Sequence, residues 1–354
     1  MAQQDTETAA QQDGAQPKEA RQAGELASLV AEGVASTTTA TERAALIPNE
    51  LYQKIAQLKS ERDAAILAHY YVAPEVQAIA DYVGDSFYLA KLAKTLPQST
   101  IILCGVEFMG ESAKLLNPTK TVLLPEPAAD CPMAHMVQKR TVDEARAKYG
   151  DDLAVVCYVN STVEIKSWSD VCVTSSNAVK IVSGLPQENI LFIPDQNLGR
   201  FVAEQVPQKN VLLNKGYCPR HQAISLKELV ELEDEHPDAL VLAHPECTRE
   251  VLAEADYIGS TAGIITYAEQ SDAREFIIVT VRGVLYELER RCAGSGKRFY
   301  FTRTQPTCVN MDMVTLQKVV ACLAGGSGQV ELPPAGQAEQ AKLTLDRMLD
   351  YAAR

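Results

Sequence analysis

The chain has 354 residues, 46% of them hydrophobic and 22% charged, with a formal net charge of −13. That length exceeds one compact core and suits two or three domains, and the acidic balance argues against nucleic acid as a partner while leaving small anions open. No apolar run approaches the roughly 18–20 residues of a membrane span, no charged-then-apolar leader opens the chain, and nine cysteines without an export signal point to a reducing cytoplasm, where thiols serve as core residues, metal ligands or catalysts.

Residues 1–46 are rich in Gln, Ala, Thr and Glu and contain no aromatic side chain. Such a composition predicts a disordered tail, with a fraying helix near residues 25–32 and no part in function. From there the chain repeats. AAILAHYYVAPEVQAIADYVGDS (64–86) returns as LAVVCYVNSTVEIKSWSDVCVTS (153–175) and again as ALVLAHPECTREVLAEADYIGST (239–261). In that alignment His69, Tyr158 and His244 coincide, each 12 residues before Asp81, Asp170 and Asp256. Tyr71, Asn160 and Glu246 share the slot two residues further on, and Ser86, Ser175 and Thr261 the slot five residues after the Asp. A spacing of 86 to 89 residues between copies marks a threefold internal duplication.

Each copy reads alike. A lead-in helix (50–62, about 134–149, 226–235) precedes an apolar strand (64–68, 154–157, 240–243). A helix follows, started by Pro74 or capped by Thr162 and Thr248, with Glu75, Glu164 and Glu250 in its first turn, where the helix dipole favours an anion. A short strand then leads to the Ser/Thr slot, where a further helix begins. Third strands are expected at 100–104, 190–193 and 275–280, and fourth strands at 121–124, 211–213 and 298–301. Strands alternating with helices at this spacing imply parallel sheets covered on both faces. The fold class is therefore α/β, with three pseudo-threefold-related αβα domains (47–133, 134–220, 221–308). Each holds a four-stranded parallel sheet, and the active site lies at their common centre. Residues 309–354 add a helix at 313–323, a loop at 325–328 and a C-terminal helix at 335–353.

Ligands of open α/β sheets bind at the carboxyl ends of the strands. His69 with Tyr71, Tyr158 with Asn160, and His244 with Glu246 all fall there, and their i, i+2 spacing turns both members of each pair to one side. A single such pair is well explained as a strand cap. Three in one register, each with different polar chemistry, point to function. Ser86, Ser175 and Thr261 stand where strand turns into helix, so each is an N-cap whose hydroxyl joins free backbone N–H groups in an anion site. Three such starts around one centre suit a substrate with several negative charges.

The cysteines sort by the same alignment. Cys131, Cys218 and Cys308 follow the fourth strands, 50, 48 and 52 residues after the repeat Asp. One thiolate per domain with no neighbouring CxxC or His pair is unlike a zinc ribbon. Three thiolates with a vacant fourth position suit a [4Fe–4S] cluster with one iron open to substrate. Cys104, Cys157 and Cys172 lie in apolar strands and are read as packing residues. Cys247 has Val72 and Ser161 as counterparts, and Cys292 and Cys322 carry no signal.

The motifs AHYYVAPEVQAIADYVGDS, GVEFMGESAKLLNP, CYVNSTVEIK, CVTSSNA, PDQNLG, KGYCPRH, AHPECTREV, ADYIGSTAGII and TCVNM, spread over residues 50–320, resemble those of the quinolinate synthases, iron–sulfur enzymes of NAD biosynthesis. The resemblance implies cluster ligands at Cys131, Cys218 and Cys308. It implies active-site residues at His69, Tyr71, Ser86, Tyr158, Asn160, Ser175, His244, Glu246 and Thr261. It further implies condensation of iminoaspartate with dihydroxyacetone phosphate, with loss of phosphate and two waters, and a functional link to an L-aspartate oxidase. His69, Tyr71, Tyr158, His244 and Glu246 are then the catalytic candidates; Ser86, Asn160, Ser175 and Thr261, together with His69, Tyr158, His244 and Glu246, bind substrate. The chain departs from the family at Val279-Thr280-Val281-Arg282-Gly283, where Gly-Thr-Glu shortly before Gly is usual, and at Asn310-Met311-Asp312, where Asn-Met-Lys is usual. The rival reading is a non-catalytic iron–sulfur redox or oxygen sensor, and a second is an anion-binding protein without chemistry.

Overall fold

A computed structural model describes residues 40–304 and 306–353. The expected tail, with its helix near residues 25–32, lies outside them except for the helix Ala40–Ala45. Three separate sheets form. The first holds β1 (Ala64–His69), β2 (Tyr82–Gly84), β3 (Thr100–Cys104) and β4 (Thr121–Leu123). The second holds β5 (Leu153–Tyr158), β6 (Val171–Val173), β7 (Asn189–Ile193) and β8 (Asn210–Leu213). The third holds β9 (Leu240–Ala243), β10 (Tyr257–Ile258), β11 (Glu275–Val279) and β12 (Arg298–Tyr300). Strand order is β2-β1-β3-β4, β6-β5-β7-β8 and β10-β9-β11-β12, with every pairing parallel. The three-sheet α/β architecture is the one the repeat predicts. In each sheet the order reverses between the first and third strands, which opens a crevice at their carboxyl ends.

Burial follows the period of two expected of a strand covered on both faces. In the third sheet, Leu242, Phe276 and Ile278 pack into one apolar cluster, while Val241, Ala243, Ile277 and Val279 pack into another on the opposite face. The first and second sheets share one continuous core, to which Leu316, Val319 and Leu323 and the C-terminal helix residues Ala341, Leu345 and Met348 also belong. The C-terminal helix Ala335–Ala353 spans the two copies: Asp346 pairs with Lys94 at 3.1 Å, while Arg347 donates to the Asp170 carbonyl at 2.7 Å. None of the described helices is long and apolar enough to cross a membrane.

Two local expectations are corrected. The lead-in helix of copy two is not continuous from residue 134: a 3₁₀ turn at Pro132–His135 is followed by a helix only at Lys139–Tyr149. The Met136 carbonyl accepts from Asn214 Nδ2 at 2.8 Å, and the Ala134 carbonyl from the Thr162 N–H at 3.4 Å, so these groups bond across the fold rather than along a helix. The second correction concerns the hydroxyl slot. Asp85 and Ser260 are the caps, accepting from the N–H groups of Tyr88 at 2.9 Å and Gly263 at 3.2 Å. Ser86 and Thr261 are the first residues of their helices. Ser175 precedes its helix by three residues, in a turn closed by the Thr174 N–H donating to Asn177 Oδ1 at 2.7 Å. Thr162 and Thr248 do cap their helices, and Pro74 starts its own.

The repeat Asp has a structural task that is the same three times. Asp81, Asp170 and Asp256 Oδ2 accept from the backbone N–H of Ile66, Val155 and Val241 at 2.8, 2.7 and 2.8 Å. Their own N–H groups donate back to the carbonyls of the same three residues at 2.9 Å in each case. This reciprocal clasp fixes where the second strand meets the first, and so where the hydroxyl slot stands relative to the strand-end pair. Asp256→Ala leaves the buried Val241 N–H unpaired and is expected to cost about 1–3 kcal/mol, whereas Asp256→Asn keeps an acceptor and most of the stability. Urea denaturation of the two variants checks this; equal losses would mean that the carboxylate oxygen is not what matters.

Candidate active site

The three carboxyl-end crevices open into a single cavity. His69, Tyr71 and Ser86 reach it from the first copy; Tyr158, Asn160 and Ser175 from the second; His244, Glu246 and Thr261 from the third. Cys131, Cys218 and Cys308 line it as well, and they are the only cysteines of the nine that do. All twelve side chains singled out by the repeat thus face one space. The other cysteines are buried elsewhere, with Cys157 and Cys172 directly opposite each other on β5 and β6.

Local geometry sets each side chain. His69 ends β1 and His244 follows β9 by one residue. In both copies the N–H two residues on donates to the ring Nδ1, from Tyr71 to His69 at 3.1 Å and from Glu246 to His244 at 3.3 Å. With Nδ1 accepting, the neutral ring carries its proton on Nε2, so His244 donates to Ser175 Oγ at 3.2 Å. Burial lowers the His69 pKa to about 4 and the His244 pKa to about 3, and both rings are neutral at pH 7. Asn160 Oδ1 is buried and has no hydrogen-bond partner among the described residues, which leaves that oxygen free to accept from a ligand.

Glu246 is 3% exposed, yet it is ionised. Burial pushes its carboxyl up, but His221, His244 and Tyr158 outweigh that and hold it well below the usual carboxylate range. Tyr158 donates to Oε1 at 2.6 Å and His221 Nδ1 lies 2.7 Å from Oε2. His221 Nε2 lies 2.9 Å from Thr280 Oγ1, and the Tyr71 hydroxyl is 2.7 Å from both Thr280 Oγ1 and Thr261 Oγ1. A continuous line of exchangeable protons therefore runs Tyr71–Thr280–His221–Glu246–Tyr158 and touches all three copies. Burial and the Glu246 charge raise both phenols well above their ordinary pKa, so both are protonated donors.

His221 and Thr280 were not among the residues that the repeat selects. Three residues after Cys131 and Cys308 stand Ala134 and Met311, so an alignment of copies has nothing to set beside His221. The signal was the Cys218-Pro219-Arg220-His221 sequence, in which a one-turn helix, Pro219–Gln222, carries the ring back over the thiol. His221 Nδ1 is 3.3 Å from Cys218 Sγ, and donor atoms of Cys218, His221 and Glu246 all lie within 4.8 Å of one another. The two departures noted in the sequence are also placed. Val281 is buried in the cavity wall, and the Asp312 N–H donates to the Cys308 carbonyl at 2.8 Å.

Comparison with known proteins shows the family to which the chain belongs. Residues 53–350 match the family model described as Quinolinate synthetase A protein. A quinolinate synthase from Fusobacterium nucleatum is 52% identical over 299 residues, 84% of this chain and 98% of the relative. Its counterpart from Caldicellulosiruptor bescii is 46% identical over 305 residues, 86% and 98% of the two chains. A third, from Clostridioides difficile, is 44% identical over 281 residues, 79% and 91% of the two.

The two buried histidines generate a pH prediction. Unfolded histidine titrates near 6.5, while folded His69 and His244 stay neutral down to about 4 and about 3. Between these values the unfolded chain binds more protons, so stability is full above about pH 6.5 and falls as the pH drops toward 4. The fall in Tm between pH 7 and pH 4.5 is expected to be smaller in a His69→Gln, His244→Gln double variant; an unchanged fall would show that burial does not hold these rings neutral.

Proposed function

Because the chain belongs to the quinolinate synthase family and forms quinolinate, we propose that the cavity between the three sheets is its active site. There iminoaspartate condenses with dihydroxyacetone phosphate, and phosphate and two waters are lost. The observation that carries this reading is the convergence of three strand-end pairs, three hydroxyls and three cysteines on one cavity. A sensor needs the thiols but not nine further polar side chains around them.

The donor set fits a [4Fe–4S] cluster. Cys131, Cys218 and Cys308 are half-buried and free, and no fourth thiol lines the cavity among the described residues. Their three thiolates would hold three irons of such a cluster and leave the fourth without a protein ligand. When bound, the cluster supplies a Lewis-acidic iron that polarises a substrate oxygen without redox change. A cluster and free thiols suit the cytoplasm.

The remaining roles belong to the protein. Ser86, Ser175, Thr261 and Asn160 hold carboxylate and phosphate oxygens by hydrogen bonds. Glu246, ionised and braced by Tyr158, accepts a proton from substrate carbon or hydroxyl. The line through His221 and Thr280 to Tyr71 returns a proton to a departing oxygen, so enolisation and dehydration need no bulk water. His69 and His244 present Nε2–H groups to substrate oxygens. Enclosure by three sheets keeps water from a hydrolysable imine, and that lability ties the enzyme to an L-aspartate oxidase as the source of its substrate.

The cluster of donors at Cys218, His221 and Glu246 favours a second reading, a mononuclear metal on those three residues. The two differ in what Cys308 does. Under the cluster reading, Cys308→Ala leaves two thiolates and loses both the visible iron–sulfur absorbance and activity, while Cys104→Ala costs only packing, about 1 kcal/mol, and keeps the absorbance. Full metal content in Cys308→Ala would replace the cluster by the mononuclear site.

Glu246→Gln removes the base while keeping size. Turnover is expected to fall by about 10²–10⁴ with iron content unchanged, measured as anaerobic quinolinate formation. Turnover within a few-fold of wild type would reduce Glu246 to a positioning residue.

A further inference from the structure

Both substrates of the proposed reaction are anions, yet the cavity is poor in positive charge. Glu246, three cysteines and Asp85 are among its lining residues, the Asp85 carboxylate being turned to the Tyr88 N–H of its own helix. Against these, Arg220 is, among the described residues, the one Lys or Arg side chain lining it. The histidines do not supply the difference: His69 and His244 are held neutral by burial, and His221 faces Glu246. Nor is Arg220 spent elsewhere. Among the described residues its half-buried side chain makes no ion pair with a carboxylate and no hydrogen bond, its charge acting on the Cys308 thiol, whereas fourteen pairs in which Lys or Arg meets a carboxylate lie outside the cavity. A guanidinium kept unpaired beside a cavity offers a planar fork of donors, which matches a phosphate in two-point contact.

Resting on the reading of the cavity given above, we propose that Arg220 is the phosphate-recognising residue of this enzyme, pairing with the phosphate of dihydroxyacetone phosphate and setting the preference for the phosphorylated triose. Arg220 stands two residues from Cys218, at the start of the one-turn helix that also carries His221. The phosphate is thus drawn toward the cysteine end of the cavity, and the triose carbons toward the Glu246–His221–Tyr71 line. The hydroxyls and Asn160 on the other sides remain for the dicarboxylate and for phosphate oxygens that Arg220 does not engage.

The test uses cluster-loaded wild type, Arg220→Gln and Arg220→Lys, with iminoaspartate generated in situ. In Arg220→Gln the KM for dihydroxyacetone phosphate is expected to rise about ten- to hundredfold, the effect of losing charge-assisted hydrogen bonds, with kcat and the KM for iminoaspartate nearly unchanged. Calorimetric binding of inorganic phosphate weakens in parallel, and Arg220→Lys, which keeps a point charge without the fork, recovers part of both. Raising ionic strength raises the wild-type KM for the triose phosphate but not that of Arg220→Gln. Loss of iron–sulfur absorbance in Arg220→Gln would overturn the proposal by making Arg220 a counter-charge for the thiolates. An unchanged KM and phosphate affinity in an active, fully loaded variant would overturn it as well. Failure of the wild-type holoenzyme to form quinolinate is a separate result, which removes the reading of the cavity and this proposal with it.

Discussion

The buried charge on Glu246 is the constraint on which the centre of this molecule depends. An unpaired carboxylate at that depth is prohibitive in free energy, so it must find donors with good geometry. It finds one in the second copy, Tyr158 from β5, and one at the junction of the second and third copies, His221 from the turn after β8. The same His221 then engages Thr280, and Thr280 engages Tyr71. Satisfying one charge therefore sets the relative placement of three sheets. The protons that satisfy it are exchangeable, so the groups that stabilise the centre are the ones to which the proposed reaction assigns proton transfer.

Duplication explains why such a centre can be built from simple parts. Each copy delivers its strand-end pair and its hydroxyl through the same clasp between the repeat Asp and the first strand. Backbone geometry is thereby repeated while side chains are free to differ. Copies one and three keep a histidine whose Nδ1 is occupied by the backbone two residues on, and copy two replaces it with a phenol. The result is asymmetric chemistry on a nearly symmetric frame: two neutral imidazoles, two phenols, one carboxylate and one amide facing a shared cavity.

That division also decides what was legible in the sequence. The sheets were, because strands buried on both faces are continuous apolar runs at fixed spacing, and Leu240–Ala243 or Leu153–Tyr158 leave no other reading. The cavity-lining set was legible because three copies in register expose any slot where reactive side chains recur. Residues belonging to one copy only were hidden from that filter, and His221, Thr280 and Arg220 are of this kind. The break at Met136–Gln138 was hidden for a different reason: its carbonyl is taken by Asn214, 78 residues away, a contact that no local propensity encodes. The capping residues were misassigned by one position because Asp85 and Ser86, or Ser260 and Thr261, are both competent N-caps on propensity alone. Only the fold shows which of the two turns its side chain to the helix and which to the cavity.

The tripeptide His69-Tyr70-Tyr71 shows how closely enclosure and chemistry are coupled. β1 ends at His69 in a turn closed by the Val72 N–H donating to the His69 carbonyl at 3.2 Å, and His69 and Tyr71 line the cavity while Tyr70 does not. Tyr70 is buried in an apolar cluster of the third copy, with its hydroxyl 3.3 Å from Arg291 Nη2. Beside it Gly283 lies so near the Tyr71 backbone that an added Cβ would stand 2.7 Å from it, and the Gly283 carbonyl accepts from Gln77 at 3.0 Å. The first and second sheets share a core that the third does not enter. The third sheet meets the other two at this seam, along the polar line through Thr280, and where Asn197 Nδ2 donates to the Glu246 carbonyl at 3.1 Å and Arg249 pairs with Glu204 at 3.1 Å. Enclosure of the cavity and continuity of the proton line rest on the same contacts, those of Thr261 and Thr280 with Tyr71 and of Glu246 with Tyr158, a coupling that suits chemistry from which bulk water is excluded.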